Sequence, residues 1–129
     1  MRRVIFVICC FFVFASLIIW EEVYVYKFFN DLTIRTTELQ SLTANTKNIN
    51  TAEILSKVES FSNSFAKNEE MLCFLINHKD IDEIGVEIAR LEADVALNQI
   101  ENFRESLSLI VFYSKAYTHI MGTSFQNVF

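Results

Sequence analysis

The chain has 129 residues, of which 52% are hydrophobic and 21% are charged, and its formal net charge is −5. It contains no proline and only two glycines, whereas strands joined by tight turns depend on both residues. This composition excludes a disordered chain and favours an all-α fold. Without the two arginines that follow Met1, nine basic residues face sixteen acidic ones, so the remainder carries −7. Such an acidic chain repels phosphate, which excludes nucleic acid as a partner.

The first predicted element is an uncharged apolar run over residues 4–20, from Val4 to Trp20. As a helix at about 1.5 Å per residue it is roughly 26 Å long, close to the hydrocarbon thickness of a bilayer. It predicts a transmembrane anchor over residues 1–22 that contacts lipid through residues 4–20. A cleaved signal peptide is the alternative, but the run is longer than a signal core and no small-residue cleavage site precedes a polar start.

The orientation of the anchor follows from the basic residues at its start. Arg2 and Arg3 precede the run and two glutamates follow it, and basic residues stay on the cytoplasmic side. We therefore expect a single-pass protein of the cytoplasmic membrane with its N-terminus inside. Residues 23–129 are then an extracytoplasmic helical domain.

Beyond the anchor, the sequence predicts a continuation of the first helix to about Lys47 and three further helices. Each later helix carries an apolar seam with steps of three, four or seven residues, as in amphipathic helices. The seams are Ile54, Val58, Phe61, Phe65, Leu72 and Leu75; Ile81, Ile84, Ile88, Leu91 and Val95; and Ile100, Phe103, Leu107, Ile110 and Tyr117. Short connections predict an antiparallel helical hairpin stack or bundle of three to four helices. The seams could close within one chain or between chains.

Local signals place the ends of these helices. A turn is predicted over residues 43–51, which are rich in Thr and Asn. Capping boxes predict helix starts, and Gly122 predicts the end of the last helix. The three boxes are Asn50 with Glu53, Asp80 with Glu83, and Asn98 with Glu101. Gly85 lies beside a seam, where the close approach of a neighbouring helix would explain it.

The sequence carries no recognisable catalytic, metal-binding or cofactor-binding pattern. Neither histidine, His78 or His119, has a Glu or His three or four residues before it, as a di-metal site in a helical bundle requires. The carboxylates fall on polar helix faces or near helix starts, and no phosphate-binding glycine loop is present. We therefore predict a non-enzymatic protein with no cofactor and no metal.

Two apolar segments late in the chain predict a surface for a partner. Residues 109–113 are apolar almost all round, yet too few to cross a bilayer. Phe112 and Tyr113 in this segment, with Val128 and Phe129 at the C-terminus, are the candidate residues. The partner would be another membrane protein or a second copy of the chain.

Three segments resemble a bacterial family. They are FLINHKDIDEI over residues 74–84, ARLEADVALNQIENF over residues 89–103, and the terminal NVF. Together they resemble the family called domain of unknown function 4363, whose members are small single-anchor membrane proteins. Within the resemblance, His78 and Asp80 form a family-like turn, while phenylalanine stands where the family commonly has a tryptophan in the preceding helix. The resemblance implies an extracytoplasmic helical body, no known activity and a membrane partner.

Taken together, the sequence predicts a membrane-anchored, non-enzymatic helical protein that binds or scaffolds another cell-envelope protein. The alternative is an extracytoplasmic helical module that senses a ligand. That alternative is less favoured because only Met1 and two arginines would lie in the cytoplasm to carry a signal.

Overall fold

The computed structural model describes the backbone of residues 1–126 and the side chains as far as His119. The described chain consists of four helices: α1 (Arg2–Thr43), α2 (Ala52–Leu75), α3 (His78–Leu97) and α4 (Ile100–Gln126). No strand occurs among these residues. The all-α prediction is confirmed, and so is the turn between the first two helices.

α1 is a single helix of 42 residues that serves two different parts of the molecule. No side chain of residues 1–20 is buried, and the helix is long and apolar enough there to cross a membrane. From Val25 onward a stripe of α1 is buried against the other helices. The predicted continuation of the first helix beyond the apolar run is therefore confirmed.

The second half of α1 and the other three helices form a four-helix bundle. Within the described chain, α1 packs against α2 and α4, and α3 packs against the same two helices. Eighteen hydrophobic residues are buried in the described part of the chain; the predicted seams of α2, α3 and α4 supply thirteen of them, and α1 with Ile49 supplies the other five. Ile84, Leu91, Phe103 and Leu107 are among those with no exposed surface. The seams thus close within one chain.

Cross-helix contacts fix the antiparallel register of the bundle. The Tyr24 hydroxyl donates to Asn68 Oδ1 of α2 at 2.7 Å, and the ring of Tyr117 in α4 stacks on Phe29 of α1 with centroids 4.5 Å apart. Both α2 and α4 run towards the apolar span as their numbering increases. At about 1.5 Å per residue, the end of α2 and the end of α4 both lie close to the level of Trp20.

Two helix starts differ from the predicted capping boxes. Thr51, not Asn50, caps α2, and its side chain accepts from the Ile54 N–H. Asn77, not Asp80, caps α3. Asn50 instead donates its side-chain amide to a carbonyl of α3. Because the Asn50 side chain has this partner in α3, the capping box predicted from the local sequence does not form there.

The third predicted cap is also wrong, because Asn98 ends α3 and does not start α4. Its φ of 53° is left-handed, a conformation that asparagine tolerates at helix C-termini. Its side-chain oxygen accepts from the Ile49 N–H at 2.8 Å. Arg104 adds a second tie at this end by donating to the Thr43 carbonyl at 2.6 Å. Polar bonds therefore hold together the end of the bundle that lies away from the apolar span.

The two glycines have different outcomes. A Cβ at Gly85 would lie 3.3 Å from the Phe65 ring of α2, so the predicted close approach of a neighbouring helix is confirmed. Gly122 does not end α4, which continues as a helix to Gln126.

Candidate functional site

The family-like turn lies at the start of α3, on the end of the bundle nearest the apolar span. His78 is exposed there and Asp80 is half-buried. Asp80 Oδ2 accepts a hydrogen bond from the Tyr117 hydroxyl at 2.5 Å, and the Tyr117 ring in turn stacks on Phe29 of α1. Burial, and then the bond to Asp80, raise the pKa of Tyr117, so the phenol stays a neutral donor. Asp80 therefore fastens α3 to α4.

A second acid–hydroxyl pair continues the same seam between α3 and α4. The Tyr113 hydroxyl donates to Glu83 Oε2 at 2.6 Å. This hydrogen bond is the main cause of the raised pKa of Tyr113, with burial a smaller one. Tyr113, a predicted partner-surface residue, thus lies half-buried with its polar group engaged.

A third acid on the same face of α3, Glu87, is almost fully buried. Its Oε2 accepts from the Ser106 hydroxyl at 2.8 Å, and its Oε1 accepts from Arg90 at 2.7 Å. Both oxygens are thus satisfied, as a buried carboxylate requires. The carboxylates of α3 were predicted to lie on polar helix faces, and for Glu87 this prediction is wrong. Their spacing of three and four residues beside the apolar seam is the signal that could have shown it.

The fourth acid on this face lacks such a partner. Asp94 is only 7% exposed, and its Oδ2 has no hydrogen bond. It lines a cleft of about 320 Å³ between α3 and α4, together with Glu87, Arg90 and Asn102. Burial raises the pKa of Asp94, with Glu87 contributing in the same direction, while Arg90 opposes both. The cleft can hold a hydrogen-bond donor or a proton.

An open, mainly apolar groove lies at the same end as the family-like turn. It runs between Trp20 of α1 and the junction of α2 with α3, and Met71, Phe74 and His78 line it. Phe74 is 85% exposed. Trp20 stacks on Tyr24 with ring centroids 5.5 Å apart. The groove therefore joins the bundle to the end of the apolar span.

The predicted partner residues are distributed unevenly. Phe112 is 67% exposed on the outer side of α4, and its ring meets Tyr113 edge-on with centroids 5.7 Å apart. Val128 and Phe129 lie outside the residues that the structure describes. A partner surface made by all four residues therefore stays a prediction.

Reactive and metal-binding side chains are sparse. No group of three or more His, Cys, Asp or Glu that could hold a metal ion occurs in the described part of the chain. The three cysteines are free thiols. Burial is the main cause of a raised pKa at Cys73, which keeps that thiol protonated and a poor nucleophile.

The comparison with known families decides where this fold belongs. The family model described as "Domain of unknown function (DUF4363)" matches residues 19–128. The chain belongs to this family. The DUF4363 match begins at Ile19, so it covers the bundle and leaves out nearly all of the apolar run. No curated protein and no solved structure matches the chain.

Membership of DUF4363 confirms the resemblance drawn from the sequence. The match contains the family-like turn at His78 and Asp80, the acid–hydroxyl pairs of α3 and α4, and the groove beside Trp20. The description of the family assigns no activity.

Proposed function

We propose that this DUF4363 protein is a non-enzymatic, single-pass membrane protein whose bundle lies outside the cytoplasmic membrane and binds or scaffolds another envelope protein. The observation that carries the proposal is the unbroken α1 helix. One half of it is exposed and apolar, and the other half forms a wall of the bundle. Membrane and bundle are then joined by a rigid element, not by a linker.

The orientation rests on charge. Arg2 and Arg3 precede the apolar run, and basic residues are retained in the cytoplasm. The bundle then carries the acidic residues outside. Trp20 and Tyr24 would lie at the outer headgroup level, where aromatic side chains are favoured.

The partner surface that we propose centres on Phe112. Its ring is exposed on a helix that is otherwise held by Tyr113 and Tyr117, whose hydroxyls bond to α3. A large aromatic ring on a rigid support is a common anchor in protein interfaces. Val128 and Phe129 would extend this surface.

Two experiments test the proposal. Protease added to intact cells should degrade the bundle, and alkaline extraction should leave the full chain in the membrane. A photo-crosslinking amino acid at position 112 should capture a defined protein in intact membranes, whereas the same group at position 92 should not. Glu92 is exposed on α3, so position 92 provides the matched control.

The variant with Phe112→Asp and Phe129→Asp gives the complementary result. It should remain inserted and helical but lose co-purification of the captured protein, because a charge in the interface is left desolvated. Unchanged co-purification would remove the partner surface from the proposal. A bundle that protease cannot reach would overturn the orientation.

A further inference from the structure

The end of the bundle nearest the apolar span exposes an apolar tip. Trp20 of α1, with Met71 and Phe74 of α2, lines the open groove described above. Phe74 has the largest exposed fraction among the large hydrophobic side chains of the bundle that the structure describes. The opposite end is tied by polar bonds through Asn98 and Arg104. The two ends therefore differ: Leu97 is exposed at the polar-bonded end, whereas at this end exposed apolar side chains line an open groove.

The register of α1 and α2 fixes the height of this tip. Tyr24 is bonded to Asn68, so these two residues lie at the same level. Because the helices are antiparallel, Trp20, four residues before Tyr24, lies level with Leu72, four residues after Asn68. Phe74 is two residues beyond Leu72, so it lies within about 3 Å of the level of Trp20 along the helix axis. Trp20 is the last residue of the uncharged run. The tip thus lies at the height where the hydrocarbon of a bilayer would end.

We propose that Phe74 and Met71 insert into the headgroup boundary of the bilayer that α1 crosses. This inference rests on the proposed membrane anchoring. Trp20 both ends the exposed apolar span and lines the groove that Phe74 and Met71 share. Because α1 is unbroken, the groove cannot move away from a bilayer that holds the span. The bilayer therefore reaches this surface before any dissolved partner can.

The charges beside the tip indicate which lipid property is recognised. Lys67 and Glu70 both line the groove, and Lys79 pairs with Glu83 at 3.9 Å. Glu21 and Glu22 also follow Trp20 directly, so this end of the bundle has no excess of basic residues and attraction to anionic headgroups contributes little. Apolar insertion carries the contact, and zwitterionic phosphatidylcholine is sufficient as a probe.

The chain offers a direct test because Trp20 is its only tryptophan. The full chain is reconstituted in phosphatidylcholine vesicles with and without acyl chains brominated near the headgroup, which quench nearby tryptophan. Three proteins are compared: the natural chain, Trp20→Phe with Phe74→Trp, and Trp20→Phe with Phe112→Trp. Phe112 is the matched control, an exposed phenylalanine roughly 20 Å further from the span along the bundle.

We expect the brominated lipid to cause a loss of fluorescence for Trp20 and for Phe74→Trp, but not for Phe112→Trp. Emission from Phe74→Trp should also be shifted to shorter wavelength than that from Phe112→Trp. The variant with Trp20→Phe and Met71→Trp gives a second reading, with the same loss expected. Circular dichroism checks that each variant keeps its helices.

The outcomes separate this inference from the anchoring on which it rests. Quenching of Trp20 without quenching at positions 71 and 74 overturns the lipid contact and leaves the anchor intact. A blue shift at position 74 without quenching assigns the tip to protein, such as a second copy, and also overturns it. Absence of quenching at Trp20 itself overturns both proposals.

Discussion

The two halves of α1 differ in the exposure and the distribution of their apolar side chains, although they belong to one helix. Phe11, in the first half, is 70% exposed, whereas Phe29, in the second, is fully buried and stacked on Tyr117. The first half is apolar on every side, and the second is apolar along one stripe only. The contrast shows that hydrophobicity alone does not build the bundle. Its angular distribution around the helix does.

Alanine substitution in each half of α1 should give the largest difference in bundle stability. Phe29→Ala is expected to cost about 3–5 kcal/mol of bundle stability, because it removes a buried ring and leaves a cavity. Phe11→Ala should leave bundle stability unchanged, since its ring contacts no core residue of the bundle. Denaturant unfolding of the full chain in micelles measures both. Equal losses would contradict the division of α1 into two parts.

Arginine substitution tests whether the first half of α1 must stay apolar to remain in a membrane. Phe12 is the central residue of the 4–20 run, where a charge is expected to cost about 2.5–3.5 kcal/mol of membrane insertion. Ile34→Arg is the matched control, because Ile34 is also exposed on α1 but lies beside the bundle. The fraction of chain retained in the membrane after alkaline extraction is the readout. Retention of Phe12→Arg at the level of Ile34→Arg would argue against a membrane span.

The smallest expected effect on stability is that of replacing Asp94, which lies inside the bundle. Burial disfavours the charged form of this carboxylate, so Asp94→Asn, which removes the charge, should raise the free energy of unfolding at pH 7 by about 1 kcal/mol. Glu92→Gln, at an exposed position two residues away, should change it little. Thermal and denaturant unfolding at a series of pH values measure both.

The pH dependence has a defined sign. Burial raises the pKa of Asp94 in the folded state above its unfolded value, so folding favours the protonated form. The advantage of Asp94→Asn is therefore greatest at neutral pH and shrinks as the pH falls through the raised folded pKa. An advantage that grows on acidification would show that the carboxylate is stabilised by a partner after all.

The sequence was sufficient to predict the seams because they depend on spacing alone. Ile84, Leu91 and Phe103 were identified from steps of three and four residues, and each is fully buried. The all-α class, the continuation of α1 and the family resemblance were also correct. Periodicity is informative here because every helix is long and no proline interrupts it.

The helix ends and the polar seam were predicted less well, for a physical reason. A capping box is a local pattern, but Asn98 bonds to Ile49 and Asp80 bonds to Tyr117, each far away in sequence. Likewise, the burial of Glu87 depends on Ser106, which faces it from α4. Polar side chains take the strongest partner available in three dimensions, and a single sequence does not show which one that is.

The unbroken course of α1 has a mechanical consequence. From Trp20 to Thr43 the helix extends about 35 Å, and Arg104 clamps its far end to α4. In a bilayer, a change in thickness is accommodated by tilting the spanning segment. A tilt of about 10° would then swing the distal loops sideways by roughly 6 Å. If α1 spans a membrane as proposed, the distal end of the bundle would therefore be displaced whenever the span tilts.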